Sequence, residues 1–346
     1  MPQRIVFLSA MLILCGPTLV MAQGSADKVQ AVGQAPYVGK IKRITAEAVV
    51  ISVSGRDRTV AVNELANVSF ANEPDALGKA RRSVDAGRYE NAINELASID
   101  STALRDERVK QDVLFYQALA NAHLALGGAS NLKAAGKRMH QFKKAAPTSH
   151  HYFEATDVLG RLAMAMGQYK AATNFFGELA GAPWKDFQLK ANNLRADGLL
   201  QQGKHVEALE QYRTVMKTSM DGPKADHQKS LAGIGLAVCL AETGNVDEGV
   251  KTLLDILKNS DPRDVELNAK AYNALGKCHL QRKNLKQALQ AFLHTDLLYS
   301  GQRDAHAEAL YHLTQLWELV DRSDRSRQAR NALKSNYASS QWAKQL

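Results

Sequence analysis

Cysteine, aromatic residues and long apolar segments are all scarce in this sequence, and each scarcity excludes a class of protein. The 346 residues include 3 cysteines, and aromatic residues make up 6%. So few cysteines exclude a disulfide-dense scaffold, and neither Cys239 nor Cys278 lies in a spacing typical of zinc or redox sites. Beyond the N-terminal segment there is no run of about 18 apolar residues, which argues against a membrane-spanning helix. A chain rich in Ala, Leu and Gln is expected to be mostly α-helical, because these residues lose little entropy in a helix.

Catalytic and cofactor-binding motifs are also missing. The chain has no nucleophile elbow, phosphate-binding glycine loop, zinc-protease helix motif or dinucleotide fingerprint. The compact polar cluster at 149–151 contains His150 and His151, but adjacent histidines point apart on a helix and no nearby carboxylate is spaced to orient them. His306 and His312 miss the i, i+4 spacing of a helical metal pair. The sequence therefore predicts no catalytic residue, metal or cofactor, and a loop or helix cap at 149–151.

The first 22 residues have the features of a secretory signal. Arg4 precedes an apolar run over 5–20, and Val20-Met21-Ala22 offers a cleavage site. Gly16-Pro17 interrupts the run, which is shorter than the roughly 20 residues that span a bilayer, so a retained anchor is the weaker interpretation. Cys15 follows a bulky residue, which disfavours lipid attachment. We predict a signal peptide over 1–22, Gln23 as the first mature residue, and an exported protein, periplasmic or secreted.

The positive charge of the chain is unevenly distributed. The formal net charge is +9, and no Asp or Glu occurs between Asp112 and Glu154. That segment contains five basic residues, Lys133, Lys137, Arg138, Lys143 and Lys144. A basic patch attracts polyanions through its long-range field, and in an exported protein an anionic envelope component fits better than nucleic acid. The alternative is a solvated helix face that confers solubility.

Two segments of different character precede the helical part. Residues 23–34 are small and polar, which predicts a flexible lead-in. Within 35–72, short β-branched runs at 39–44, 49–53 and 58–62 alternate with turn residues. This segment is too short for a self-sufficient sheet of roughly three or more strands. We therefore expect a small β-strand, barrel-like module that packs on the helices.

Residues 73–346 repeat with a regular pattern of small and bulky positions. Five glycines recur at intervals of 40, 40, 36 and 41 residues: Gly87, Gly127, Gly167, Gly203 and Gly244. When these glycines are numbered position fifteen, position eight is small in every unit: Ala80, Ala120, Gly160, Ala196, Ala237, Gly276 and Thr314. If the second and seventh repeats carry a turn that is three residues longer, position twenty is also small: Ala92, Ala135, Ala172, Ala208, Gly249, Ala288 and Ala329. Position twenty-four is bulky: Leu96, Met139, Phe176, Tyr212, Leu253, Phe292 and Leu333. Antiparallel helices approach closely only where side chains are small, so the pattern predicts stacked helix pairs with a left-handed glycine at each turn.

Short motifs in this register resemble those of a known repeat family. Gly-x-Tyr occurs at 87–89 and 167–169, and Leu-Gly at 159–160 and 275–276. The pattern resembles the tetratricopeptide repeat (TPR) family over residues 76–346, and the segment 305–343 is similar to repeats of exported bacterial envelope proteins. The resemblance implies a mostly α, helical-hairpin solenoid of about seven repeats after the β module. The spacing exceeds the family's roughly 34 residues. Cys239 and Cys278 share a position on neighbouring first helices, too far apart for a disulfide, which predicts two buried free thiols.

The TPR resemblance also implies a binding groove, because the first helices of such repeats line a concave surface. Carrying over the family's ligand positions gives seven polar candidates: Arg161, Lys190, Asn193, Asp197, Lys270, Asn273 and Lys277. Between the two polar patches, Ile234 and Val238 offer an apolar anchor pocket. The alternative interpretation is an ordinary hydrated groove wall.

The sequence therefore favours a non-catalytic exported scaffold or adaptor that binds a segment of another protein in its groove, within a bacterial cell-envelope assembly. Two alternatives from other classes remain open. One is an envelope polymer or glycan binder that uses the basic patch. The other is an accessory subunit of an enzyme complex.

Overall fold

The structure, a computed structural model, describes residues 26–346. The predicted signal over 1–22 lies outside this range. Five strands come first and fourteen α-helices follow in the described part of the chain. No helix of residues 26–346 combines the length and apolarity needed to cross a bilayer.

The N-terminal sheet has five antiparallel strands: β1 (Asp27–Ala31), β2 (Tyr37–Ile44), β3 (Ala48–Val53), β4 (Arg56–Ala61) and β5 (Leu65–Ser69). The strand order is β4-β3-β2-β1-β5, and a 3₁₀ helix at Val62–Glu64 links the two outermost strands. β1 corrects the prediction of a flexible lead-in over 23–34. Although this segment is polar in composition, Val29 is fully buried against the helices while the backbone pairs with strands on both sides.

Seven helix pairs follow the sheet. Their first members are α1 (Asp75–Asp85), α3 (Glu107–Leu126), α5 (Tyr152–Ala165), α7 (Lys185–Gln201), α9 (Pro223–Glu242), α11 (Val265–Gln281) and α13 (Arg303–Leu319). Their second members are α2 (Tyr89–Ala97), α4 (Leu132–Ala145), α6 (Tyr169–Ala180), α8 (His205–Lys217), α10 (Val246–Asn259), α12 (Leu285–Leu298) and α14 (Ser323–Asn336). Each helix packs on the next one along the chain, and successive first helices also touch from α1 to α13. The result is the predicted helical-hairpin solenoid.

The small and bulky positions explain the packing within each pair. In the first six repeats every position-twenty-four side chain is at most 1% exposed. The seventh repeat corrects the prediction, because its turn is not longer and Ser326, rather than Ala329, takes position twenty and donates to the Thr314 carbonyl at 2.8 Å. Gly160 and Gly276, at position eight, lie directly against the rings of Phe176 and Phe292, where a Cβ atom would come within 2.2 and 2.6 Å of a ring carbon. A Cβ on Gly249, at position twenty, would lie 2.7 Å from a backbone oxygen of the facing helix. The absence of side chains at these positions lets the helices touch.

The turn between the two helices of a pair places one residue in left-handed backbone. Gly87, Gly167, Gly203 and Gly244 have φ between 70° and 97°. The second repeat departs from the prediction by one residue, because Gly127 has a negative φ and Gly128 takes the left-handed conformation, with φ of 76°. In the last two repeats the same place is occupied by Lys283 and Asp321, with φ of 59° and 57°.

The sheet is attached to the helices by an apolar face and by polar contacts. Its buried residues share one core cluster with Leu77, Ala80 and Val113 of α1 and α3. The buried Asp27 carboxylate accepts hydrogen bonds from the Ile41 and Ala71 backbone N–H groups, both at 2.8 Å, and pairs with Arg108 of α3 at 3.2 Å. The β module therefore depends on the solenoid for its core, as its length predicts.

The sheet also reaches helices far along the chain. The Lys224 ammonium of α9 lies 2.7 Å from Glu64, and the Asn63 amide donates to the Asp186 carboxylate of α7 at 3.3 Å. These contacts join residues more than 120 positions apart in sequence. The sheet thus lies along the N-terminal ends of several first helices.

The two remaining cysteines are buried, as predicted. Cys239 and Cys278 are both fully buried and unpaired. Burial raises the pKa of each thiol to about 11. Both thiols are therefore protonated and unreactive at neutral pH.

Candidate functional site

The solenoid curls until its last repeat meets its first two. The Ser339 N–H donates to the Gly128 carbonyl at 2.8 Å, and Arg303 at the start of α13 lies 3.9 Å from Glu90 of α2. A Cβ atom on Gly127 would come within 2.7 Å of the Arg303 side chain, and one on Gly128 within 2.6 Å of the Ser340 nitrogen. We call this contact between the second turn and the C-terminal repeat the seam. The two adjacent glycines of that turn are required there, because any side chain would collide with the C-terminal residues.

The seam borders a central cavity of about 630 Å³ that remains partly open to solvent. Its wall comes mainly from α5, α7, α9, α11 and α13, with the segment 339–342 completing it. Eight of the nine predicted groove residues lie on this wall: Arg161, Lys190, Asn193, Asp197, Ile234, Val238, Lys270 and Lys277. First helices line the cavity because the face of each first helix that lies opposite its own second helix is directed toward the cavity.

Asn273 is the predicted residue that does not reach the wall. It is 1% exposed, and its amide donates to the Ala305 carbonyl of the next first helix at 2.8 Å. Asn193, at the same position two repeats earlier, donates in the same way to the Gln228 carbonyl at 2.7 Å. The position that both asparagines occupy joins one first helix to the next. Both amides are thus engaged between repeats, while a contact with a partner stays a prediction for Asn193, which lies on the wall, and for Asn273.

The cations on the wall are paired with carboxylates. The buried Asp157 carboxylate receives Arg161 at 2.8 Å and Lys190 at 2.5 Å. Burial alone would raise the pKa of Asp157, but these two cations lower it to about 2. Lys270 pairs with Glu266, and Lys277 pairs with Glu308, both at 2.8 Å. The wall therefore carries charges of both signs, with five carboxylates and four cations.

An apolar strip divides the charged pairs. Leu194 of α7 and Leu231, Ile234 and Val238 of α9 lie on the wall between the Asp157 group and the pairs on α11. The apolar residues thus lie between two polar groups, and their role as an anchor pocket stays a prediction. Such a strip can take an apolar side chain while polar groups on both sides hold the adjacent backbone.

Four acidic groups of the wall escaped the sequence prediction: Glu242, Glu266, Asp304 and Glu308. Glu266 and Asp304 occupy the same place near the start of their helices, and Glu308 has the repeat position of Lys190 and Lys270. Burial, with Glu308 nearby, raises the pKa of Asp304 to about 6. The repeat register could have revealed Glu308. No pattern in the sequence indicates that segment 339–342 returns to the cavity, because the seam depends on how far the solenoid curls.

The predicted basic patch lies on α4, away from the cavity wall. Lys133, Lys137, Arg138 and Lys144 are exposed. Lys143 is different, because its side chain is 12% exposed and its ammonium lies 2.6 Å from the Glu178 carboxylate of α6. Its place in the patch is corrected, since it is directed toward the neighbouring repeat.

The loop and helix cap predicted at 149–151 are present, but the two adjacent histidines do not point apart and a carboxylate lies close to them. Their ring centroids are 3.9 Å apart, and His151 Nε2 lies 3.5 Å from Asp112 Oδ1. His151 precedes α5 as its N-cap residue, so the angular spacing of a helix does not separate the rings. The carboxylate comes from α3, 39 residues away in sequence, because α3 packs beside α5. Burial lowers the pKa of His150 to about 3.

These features define a helical-repeat solenoid whose first helices line a central cavity. No family model matches the chain, and no curated protein matches its sequence. The solved structure of the apo form of the quorum sensor NprR from B. thuringiensis is similar, with a TM-score of 0.50 and 10% identity, over 76% of this chain and 86% of that chain.

Two further solved structures are similar at slightly lower scores. A tetratricopeptide repeat protein from Parabacteroides merdae has a TM-score of 0.48 and 13% identity, over 75% of this chain and 91% of that chain. A Rap protein complexed with competence and sporulation factor has a TM-score of 0.47 and 11% identity, over 78% of this chain and 76% of that chain. At such low identities the likeness concerns the fold. Of these three, only the similarity to NprR reaches a TM-score of 0.50, and it agrees with the helical-repeat solenoid that the seven helix pairs form.

Proposed function

We propose that this protein is a non-catalytic scaffold that binds a segment of another protein in its central cavity. The observation that supports this best is the convergence of side chains from five first helices on one partly open cavity of about 630 Å³. A cavity of this size and mixed character is typical of binding sites, which combine apolar contact area with a few placed polar groups.

The wall indicates the chemistry of the bound segment. The strip of Leu231, Ile234 and Val238 suits one or two apolar side chains. Lys190 and Lys270 each have a carboxylate partner, so they offer their remaining ammonium hydrogens to carbonyl groups of a backbone. A segment with an apolar anchor flanked by polar residues fits this wall better than a uniformly charged one.

The N-terminal segment 1–22 supports an exported location. An exported scaffold without catalytic motifs meets its partners in the cell envelope. We therefore propose a bacterial cell-envelope assembly as the setting in which the cavity is used.

Site-specific photocrosslinking tests the cavity as the binding site. A photoreactive amino acid replaces Gln201, on the cavity wall, or Thr214, exposed on the second helix of the same repeat. Irradiation of cells should give a protein adduct from position 201 and none from position 214. Adducts from position 214 alone, or no adduct from either, would contradict the proposal.

An energetic test follows once the crosslinked partner is identified by mass spectrometry. Leu231→Gln removes apolar contact from the strip and should weaken partner binding at least tenfold, because burial of one Leu contributes about 1.5–3 kcal/mol. Gln168→Leu, on an exposed turn, is the control and should bind like the parent. Equal affinity of all three proteins would argue against binding at the strip.

The basic patch supports a second candidate function, binding of an envelope polyanion. Lys133, Lys137 and Lys144 are exposed and recur on one face of α4, beside Arg138. Binding to this face should weaken steeply as salt concentration rises, because screened attraction dominates such contacts. Replacement of the four cations by Gln should abolish polyanion binding and leave the photocrosslink at position 201 intact. Loss of that crosslink instead would favour the second candidate.

A further inference from the structure

A buried cluster between repeats one to three has no part in the central cavity. Asp112 of α3 meets His150 and His151, which precede α5. All three residues are buried, and their potential ligand atoms lie within 4.8 Å of one another. The cluster therefore brings two imidazoles and a carboxylate to one point from separate parts of the chain.

The atoms that face each other in this cluster have no hydrogen bond. Asp112 Oδ1 and His151 Nε2 are buried and unpartnered among the described residues, and they are 3.5 Å apart. That separation exceeds the roughly 2.7–3.2 Å of a hydrogen bond between nitrogen and oxygen. Buried polar atoms nearly always have a partner, so these two atoms indicate a binding partner between them.

A metal ion would satisfy both atoms. Zn²⁺ bonds of about 2.0–2.2 Å in a tetrahedral site place neighbouring ligand atoms roughly 3.3–3.5 Å apart, the separation of this pair. The third ligand atom lies at most 4.8 Å from the others, so a movement of about 1.6 Å brings it to the ligand spacing of such a site. The turn that carries His150 connects α4 to α5 and includes the exposed Pro147 and Thr148, which can accommodate such a movement.

The surrounding contacts are those that orient metal ligands. His151 Nδ1, the ring nitrogen away from Asp112, lies 3.4 Å from the Glu154 carboxylate. The second oxygen of Asp112 accepts from Arg81 at 2.7 Å, and Arg81 also pairs with Glu73. Ligating histidines and carboxylates commonly have such outer partners, which fix their orientation. Phe115 stacks on the His151 ring at 3.7 Å and further fixes its plane.

We propose that Asp112, His150 and His151 bind one divalent transition-metal ion, for which Zn²⁺ best matches the donor set. Two imidazoles and one carboxylate are nitrogen and oxygen ligands that Zn²⁺ accepts readily. The ion ties α3 to the start of α5 beside Arg81 of α1. It therefore stabilises the first three repeats, on which the β module packs.

Direct titration with ZnCl₂ tests the site. Tag-free protein, treated with EDTA and dialysed, is titrated by calorimetry, and Co²⁺ is added in parallel as a spectroscopic probe. We expect one Zn²⁺ per chain and the visible absorption of tetrahedral Co²⁺. His150→Gln should lower Zn²⁺ affinity at least tenfold. His140→Gln, an exposed histidine on α4, is the matched control and should bind like the parent.

Two further measurements separate a metal site from a buried ion pair. Saturating Zn²⁺ should raise the melting temperature of the parent and of His140→Gln, and should leave that of His150→Gln unchanged, because a ligand stabilises only the state that binds it. Glu154→Gln, which alters the outer partner of His151, should weaken binding about tenfold without abolishing it. Absence of saturable binding to the parent, or equal affinity of His150→Gln and His140→Gln, would overturn the proposal. His150→Gln decides the matter even where a His151 variant fails to fold.

Discussion

Replacement of Gly160 by Ala probes the contact that sets the distance between the two helices of the third repeat. A Cβ atom at this position would lie 2.2 Å from Phe176 Cε1. Ordinary van der Waals contact requires about 3.5 Å, so the ring would have to retreat by more than about 1 Å. Phe176 is 1% exposed and has little free space to enter.

Gly177, on the adjacent helix, provides the matched control. It is exposed, and a Cβ atom there would meet no other atom within 4 Å. Both substitutions gain about 1 kcal/mol of helix propensity, because Ala is the better helix former. Only Gly160→Ala adds overpacking, which costs about 1–3 kcal/mol. The two variants should therefore differ by about 1–3 kcal/mol in free energy of unfolding, with Gly177→Ala the more stable.

Urea denaturation followed by circular dichroism measures this difference as a shift in midpoint. A double variant adds a second check, because Phe176→Leu makes room for the new methyl group. The destabilisation by Gly160→Ala should be smaller in that background than in the parent. If Gly160→Ala stabilises the protein as much as Gly177→Ala does, the proposed contact between positions eight and twenty-four is wrong.

Three other predictions concern charge and processing. In metal-free protein, Arg81→Met leaves Asp112 and Glu73 without their cation in a buried site and should cost about 3–5 kcal/mol, measured by urea denaturation, whereas Arg322→Met at an exposed ion pair should leave the midpoint unchanged. Asp157 has its pKa lowered from 3.8 to about 2, so its stabilising effect is complete above about pH 4 and is lost as the pH falls toward 2. In Asp157→Asn the melting temperature should depend less on pH over that range. A dependence as steep as that of the parent would contradict the assignment. Mass spectrometry of the mature protein should find Gln23 at its N-terminus and no lipid, and an intact Met1 or an acylated Cys15 would refute the export prediction.

The repeat register could be predicted from the sequence, because it depends on residues that lie within a single repeat. Position eight is small in each repeat, as Gly160 and Ala196 show, because the second helix packs closely against it. The same requirement recurs about every 40 residues. Most predicted groove residues reach the cavity wall for the same reason, since a regular repeat places equivalent positions on one surface. Asn193 and Asn273 show the limit of this reasoning. A register places them on a face, but only the packing of successive first helices shows that their amides join those helices.

Other features depend on residues that are distant in sequence. The flexible lead-in was inferred from local composition, yet β1 forms because strands on both sides and α3 complete its pairing and its core. Lys143 matches its basic neighbours in sequence, but Glu178 of the next repeat removes it from the surface. In both cases a partner outside the local segment decides the outcome.

Local sequence by itself determined the helix pairs, their turns and the face that each helix buries, because these follow from backbone preferences and side-chain sizes within one repeat. Only the tertiary structure decided where the solenoid closes, which brings Ser339 to Gly128 and completes the cavity. It also decided that Asp112 meets His150 and His151. The physical reason is that small rotations between successive repeats add along the chain, and the contacts between distant repeats depend on their sum.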